Sequence, residues 1–112
     1  MKKNNRRKNK RISVNLLAGE TVGGRYHLPL LANLSETGLY IESPSGLDRP
    51  PAHDRVVELA LPGARDLVWA RCKVVRHDQR GFFQGHALEF VDISAHDRHQ
   101  IRSYLQRCVG IA

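Results

Sequence analysis

Val68-Trp69-Ala70-Arg71-Cys72-Lys73-Val74-Val75 is the stretch that decides the fold class. Val68, Ala70, Cys72 and Val74 fall on one side, and Trp69, Arg71, Lys73 and Val75 on the other. That period of two belongs to a β-strand with one buried face. Upstream, PGARD (62–66) turns the chain, and before it Val57, Leu59 and Leu61 form another inward set, so the two runs read as a hairpin. Downstream, HDQRG (77–81) is predicted to be the next turn, with Leu88 and Phe90 anchoring the last strand.

Toward the amino terminus the same period recurs. In GLYIES (38–43), Leu39 and Ile41 are predicted to point inward and Tyr40 and Glu42 outward, and PSGLDRPP (44–51) forms a Pro/Gly loop. Residues 25–34 are extended and carry Pro29, which belongs at an edge or a bulge because it has no amide hydrogen for the ladder. Earlier still, Ile12, Val14 and Leu16 alternate with Ser13 and Asn15, which puts Arg11 on the outer face.

After VDIS the period changes. Ile101, Tyr104, Leu105 and Cys108 lie at i, i+3, i+4 and i+7, one stripe of an amphipathic helix over about 94–108. Ser94 is the expected N-cap, with Asp97 completing a capping-box variant, Arg107 near the negative end of the helix dipole and Gly110 as a stop. The expected architecture is mainly β, a six-stranded antiparallel barrel with a C-terminal helix.

The 112 residues, 41% hydrophobic, suit one domain and exclude a two-domain enzyme. The net charge of +7 is unevenly placed: Lys2, Lys3, Arg6, Arg7, Lys8, Lys10 and Arg11 hold seven positive charges with no acid among residues 1–11. Eleven bases then face eleven acids over residues 12–112. The division is therefore a flexible basic arm over 1–10 and a neutral barrel over 11–112. Apolar runs are far shorter than the ~20 residues of a membrane span, and the start lacks a signal-peptide core, so no membrane insertion and a cytoplasmic location are expected. Cys72 and Cys108 form no CxxC; both are read as small apolar residues, Cys108 inert on the helix stripe.

Two short segments carry chemistry. Arg7-Lys8-Asn9-Lys10-Arg11 is an RxxxR segment at the junction of arm and first strand, and each guanidinium fork suits phosphate oxygens or the O6/N7 edge of guanine. Asn33-Leu34-Ser35-Glu36-Thr37-Gly38 is an NxSxxG turn, in which Asn33 and Ser35 both donate and accept and Gly38 is free to take a positive φ. Taken singly, the first is also what a solvated basic tail looks like and the second what an ordinary β-turn looks like.

In this order and on this body, the two segments resemble the signature of the PilZ domain, a bacterial receptor module for cyclic di-GMP. Its third element, an EFxDxS ending that enters a helix, matches Glu89-Phe90-Val91-Asp92-Ile93-Ser94. The resemblance implies cyclic di-GMP bound on the outer barrel surface, with Arg7 and Arg11 folding over the ligand, Asn33 and Ser35 bonding guanine and Gly38 shaping the turn. Arg6 is a third fork within reach. Two departures stand out: Val75 replaces an outward aromatic that some members stack on ligand, with Trp69, Arg71 and Lys73 on the same face, and Asn33 lacks the carboxylate of an Asp. A barrel without an output domain implies a downstream protein partner.

The remaining polar residues read as surface. His96 and His99 have a metal-compatible spacing but no evident third ligand, and the His-Asp pairs at 53–54, 77–78 and 96–97 lack the helical scaffold a hydrolase of that dipeptide needs. No catalytic constellation is expected, so the reading is a non-enzyme with no cofactor and no metal. The rival readings are a small nucleic-acid-binding barrel using the basic arm, and a PilZ-like adaptor that needs no ligand. Only 7 aromatic residues and no evident stacking platform argue against DNA or RNA.

Overall fold

The computed structural model describes residues 11–45 and 54–109. Its elements run β1 (Ile12–Val22), β2 (Arg25–His27), β3 (Leu30–Leu34), β4 (Gly38–Pro44), β5 (Asp54–Leu59), β6 (Val68–Arg80), β7 (Phe83–Ile93) and α1 (Ala95–Val109). The basic arm over 1–10, most of the 44–51 loop and Gly110 lie outside the described residues.

Every pairing is antiparallel, in the order β2-β1-β3-β4-β7-β6-β5, and β1 also pairs with β5. Six strands therefore close into the expected barrel, and β2 is one strand more than the sequence reading contained. Strand β1 closes the ring because it is long: Ile12 to Leu17 lie against β3, and Ala18 to Thr21 lie against β5. The extra strand arises at Pro29, which splits the extended run into β2 and β3. Proline cannot donate to the ladder, but its carbonyl accepts the Ala18 amide at 3.0 Å, so the chain stays against β1 across the break.

The interior is the predicted apolar set. Leu39, Ile41, Val57, Leu59, Leu61, Val68, Ala70, Cys72 and Leu88 are buried in one cluster with Leu31 and Leu34, and Ile12, Val14, Leu16, Val74 and Phe90 pack against it. Burying a Leu or Val side chain contributes about 1.5–3 kcal/mol. Burial also pushes the Cys72 thiol up to about 12, aided by the nearby Glu20 charge.

Strand β6 departs from the expected course. Of HDQRG, only the last residue belongs to the turn: His77 to Arg80 continue β6, and the reversal comes at Gly81, whose φ of 60° favours glycine. A register shift between Val74 and Arg76 places a bulge at Val75. Before it Val74 pairs with inward Leu88; after it Arg76 pairs with Ala87 and Asp78 with Gly85, both on the outer face. One extra residue thus moves Arg76 and Asp78 to the outside.

Helix α1 starts as predicted, with the Ser94 hydroxyl accepting the Asp97 amide at 3.0 Å. The Asp97 carboxylate is used differently from a capping box: it accepts the Trp69 amide at 3.1 Å and the Gln100 side chain, tying the helix start to β6. Ile101, Tyr104 and Leu105 bury their stripe on the barrel. Cys108 is exposed, not part of the core as its position on the stripe predicts.

One polar pair is sealed inside. Glu20 is 0% and Arg55 3% exposed, with Nη1 and Oε2 2.8 Å apart. Glu20 follows Ala18 on the inward phase of β1, and Arg55 pairs in register with Cys72 on β6.

Candidate functional site

The NxSxxG segment spans the end of β3, a tight turn and the start of β4. The Ser35 amide donates to the Gly38 carbonyl at 2.9 Å, and the Ser35 hydroxyl accepts the amides of Thr37 and Gly38, each at 3.2 Å. The same hydroxyl lies 3.2 Å from the Gly38 carbonyl, to which it donates, and the residue is only 1% exposed. Ser35 is committed to holding the turn. Gly38 is required for a reason other than the expected positive φ, which it does not have: a Cβ there would collide with the Leu88 carbonyl oxygen. Glycine lets β4 and β7 close together at the point where the Phe90 amide reaches the Thr37 carbonyl at 2.9 Å.

The helix clamps this turn from outside. Arg98 donates to the Glu36 carbonyl at 3.3 Å, and Arg102 grips the Glu36 carboxylate with Nε and Nη2, each at 3.1 Å. Helix and motif are separated by more than sixty residues in sequence, so no local pattern marks these arginines as clamps.

Asn33 is the motif residue with capacity to spare. It lies in register between Ser13 of β1 and Tyr40 of β4, and Ser13 is exposed, so residues of this row face outward. Its side-chain oxygen is buried and has no hydrogen-bond partner among the described residues. Such a group costs roughly 1–3 kcal/mol until something donates to it. Arg11 is exposed and continues the outward alternation of β1, two residues before Ser13. Arg6 and Arg7 lie outside the described residues.

The row continues across the barrel as Ser13, Asn33, Tyr40, Ala87 and Arg76. Tyr40 is on the outer face as predicted but is only 6% exposed, because its neighbours cover it. Its ring lies across Gly85, where a Cβ would meet the phenol. The hydroxyl donates to Asp78 Oδ2 at 2.7 Å, Arg76 Nε donates to the same oxygen at 3.2 Å, and the Arg76 guanidinium stands 5.6 Å from the ring centre. Burial and the Asp78 hydrogen bond raise the Tyr40 pKa, whereas the Tyr40 hydrogen bond, then Arg76, hold the Asp78 carboxyl below the usual range. Asp78 is therefore ionised at neutral pH. Sequence reading placed Tyr40 outward without a role, and it missed Arg76 and Asp78 because the Val75 bulge reassigns the face of the β6 residues after it; the doubled Val74-Val75, followed by a polar run out of phase, was the available signal.

The other outward residues of β6 have partners of their own. Arg71 is 3.7 Å from Asp54 and Lys73 3.6 Å from Glu89, while Trp69 sits at the start of the helix and Val75 is exposed at the bulge. Among the described residues no group of three or more His, Cys, Asp or Glu is placed to hold a metal, and His96 contacts Asp66 at 3.1 Å. No described helix is long and apolar enough to cross a membrane. The site is thus a rigid outer row in which an unsatisfied amide oxygen, hydroxyls and guanidinium groups share one face, suited to a planar polar ligand bearing N–H donors and anionic groups.

The model of the PilZ domain matches residues 5–107. The chain belongs to the PilZ domain family. Solved structures share the fold at low identity. The inhibitor of motility MotI/DgrA of Bacillus subtilis is similar with a TM-score of 0.77 and 16% identity, over 93% of this chain and 52% of that one. MrkH of K. pneumonia in its apo state is similar at 0.66 and 14%, over 88% and 48%. YcgR of Escherichia coli, solved with c-di-GMP, is similar at 0.65 and 14%, over 92% and 46%. This PilZ domain spans about half the length of the structures it matches. No curated protein matches the sequence.

Proposed function

We propose that the chain is a cyclic di-GMP receptor and adaptor that acts without catalysis, binds no metal or further cofactor, works in the cytoplasm and signals through a partner protein. The observation that carries this reading is the Asn33 carboxamide oxygen, buried and without a partner among the described residues, on the outward row that starts at Ser13, two residues along the chain from exposed Arg11. Guanine offers N1–H and N2–H donors of the kind that oxygen lacks. Membership of the PilZ family supports the ligand class, as do the c-di-GMP complexes of two similar structures, YcgR of Escherichia coli and PlzA of Borreliella burgdorferi.

In this reading Arg7 and Arg11, with Arg6 beside them, close over the ligand, taking its phosphates and guanine edges through bidentate forks. Asn33 bonds guanine directly. Ser35 and Gly38 contribute by shaping the turn that presents Asn33. Tyr40 and Arg76 form the floor and far wall, a second cation-π pair in place of the aromatic that Val75 lacks. The lysines of the arm steer a dianionic ligand without specifying it.

Isothermal titration calorimetry with cyclic di-GMP tests the reading. Saturable binding is expected, reduced at least tenfold by Arg7→Ala or Arg11→Ala with the fold intact, and little changed by Lys2→Ala. No saturable heat at high-micromolar protein removes the receptor reading. Equal losses for all three variants, with comparable binding of single-stranded DNA, favour a nucleic-acid-binding arm instead.

A further inference from the structure

A cleft separates one flank of α1, from His96 to Arg107, from the turn between β5 and β6. It is lined by Gly63, Arg65, His96, His99, Ser103 and Arg107 among others, with a volume of about 240 Å³. That is below the roughly 300–1,000 Å³ of small-molecule pockets, so it is too small for a nucleotide and suited to one or two side chains.

Its electrostatics are one-sided. Arg65 has no ion-pair partner among the described residues. Arg107 donates to the Pro62 carbonyl at 2.8 Å and leans on the Tyr104 ring, again with no carboxylate. The two nearby acids have partners of their own: Asp66 contacts His96 at 3.1 Å, and Asp97 accepts the Gln100 side chain and the Trp69 amide. Among the described residues, two guanidinium groups thus face the cleft without a carboxylate partner, and two histidines stand beside them.

Its walls are held in place. The Gln100 side chain accepts the Asp66 amide at 3.2 Å and donates to the Asp66 carbonyl at 3.3 Å, which locks the turn to the helix. Arg107 lies over Gly63, whose missing Cβ makes the room: a side chain there would come within 2.8 Å of the guanidinium, at a φ of +84°. A cleft already in shape loses little conformational entropy when it is filled.

From this we infer that the α1 cleft is a docking site for an acidic segment of a partner protein, whose carboxylates insert between Arg65 and Arg107. The occupant follows from charge complementarity and volume, and the inference does not depend on the ligand bound at the outer row. It names where a partner engages: α1 carries the cleft on one flank and on another grips the motif turn through Arg98 and Arg102.

Fluorescence anisotropy with a labelled hexaglutamate peptide and the full chain, in 0.15 M salt, tests it. Saturable binding is expected, weakened at least tenfold by Arg65→Glu and by His99→Glu. Arg71→Glu changes the net charge of the chain as much as Arg65→Glu does, but at a site outside the cleft, and is expected to alter affinity less than twofold. Amide shifts in an NMR titration are expected over 63–66 and 96–107. Equal weakening by Arg65→Glu and Arg71→Glu, or shifts that leave those two segments untouched, would overturn the proposal, as would no saturable binding. Cyclic di-GMP calorimetry on Arg65→Glu is expected to match the parent chain, so failure of one reading is distinguishable from failure of the other.

Discussion

Two polar clusters on this barrel have similar chemistry and opposite accessibility. Glu20 and Arg55 meet in the interior, 0% and 3% exposed, while Tyr40, Asp78 and Arg76 meet on the outer face beside the unpartnered Asn33 oxygen. The sealed pair is removed from any ligand, so its consequences are confined to folding. The outer cluster is held just as firmly, yet it belongs to a row on the outer face of the barrel. What separates a sealed ion pair from a candidate binding surface is the side of the strand on which it falls, not the residues that form it.

The comparison is most strongly tested by breaking the sealed pair. Arg55→Ala leaves a buried carboxylate without its 2.8 Å partner and is expected to cost about 3–5 kcal/mol in chemical denaturation. Cyclic di-GMP affinity of the molecules that still fold is expected to be unchanged. A large loss of affinity in that folded fraction would show the two clusters to be coupled.

The motif divides in the same way. Ser35→Ala removes the acceptor for two amides and is expected to lower stability by about 1–3 kcal/mol. Asn33→Ala removes a buried oxygen that has no partner among the described residues, so stability is expected to hold or to rise by up to about 1–3 kcal/mol, while calorimetry shows at least a tenfold loss of ligand affinity. The two stabilities exchanging places would invert the assignment of roles.

A smaller effect is expected on the outer face. Tyr40→Phe keeps the ring over Gly85 but drops the 2.7 Å bond to Asp78, and is expected to cost about 1 kcal/mol in thermal melts. The smallest at neutral pH concerns the interior thiol. The Cys72 pKa is raised by burial to about 12, from an ordinary value near 9. The folded state therefore holds its proton more tightly, and the contribution is complete below pH 9 and lost as pH rises from 9 to 12. Stability is expected to fall by about 1 kcal/mol by pH 10, and Cys72→Ala is expected to flatten that slope. At neutral pH iodoacetamide is expected to label exposed Cys108 and spare Cys72.

Much of this was legible in the residues. Val57, Leu59, Val68, Ala70, Cys72 and Leu88 announced themselves through alternation, because a strand buries every second side chain wherever its pleat is regular. Ser94 announced the helix start through its own hydrogen-bonding habit. Cys108 misled because the helical stripe is a statement about one face, and Ile101, Tyr104 and Leu105 already fill the contact with the barrel. Tyr40 faces outward as its phase predicts, but its burial was not legible, because Asp78 and Arg76 reach it from a strand nearly forty residues away.

By itself the sequence determined the class of fold, the separation of a seven-charge arm from a neutral body, and the motif that marks the family. Each is a local property, carried by period, composition or spacing. Tertiary structure alone decided the seventh strand at Pro29, the bulge at Val75, the clamp of Arg98 and Arg102 on Glu36, and the contrast between a Ser35 hydroxyl that holds the turn and an Asn33 oxygen with no partner among the described residues. Those depend on which strand lies alongside which and in what register, and a pairing between distant segments leaves no mark in either segment read alone.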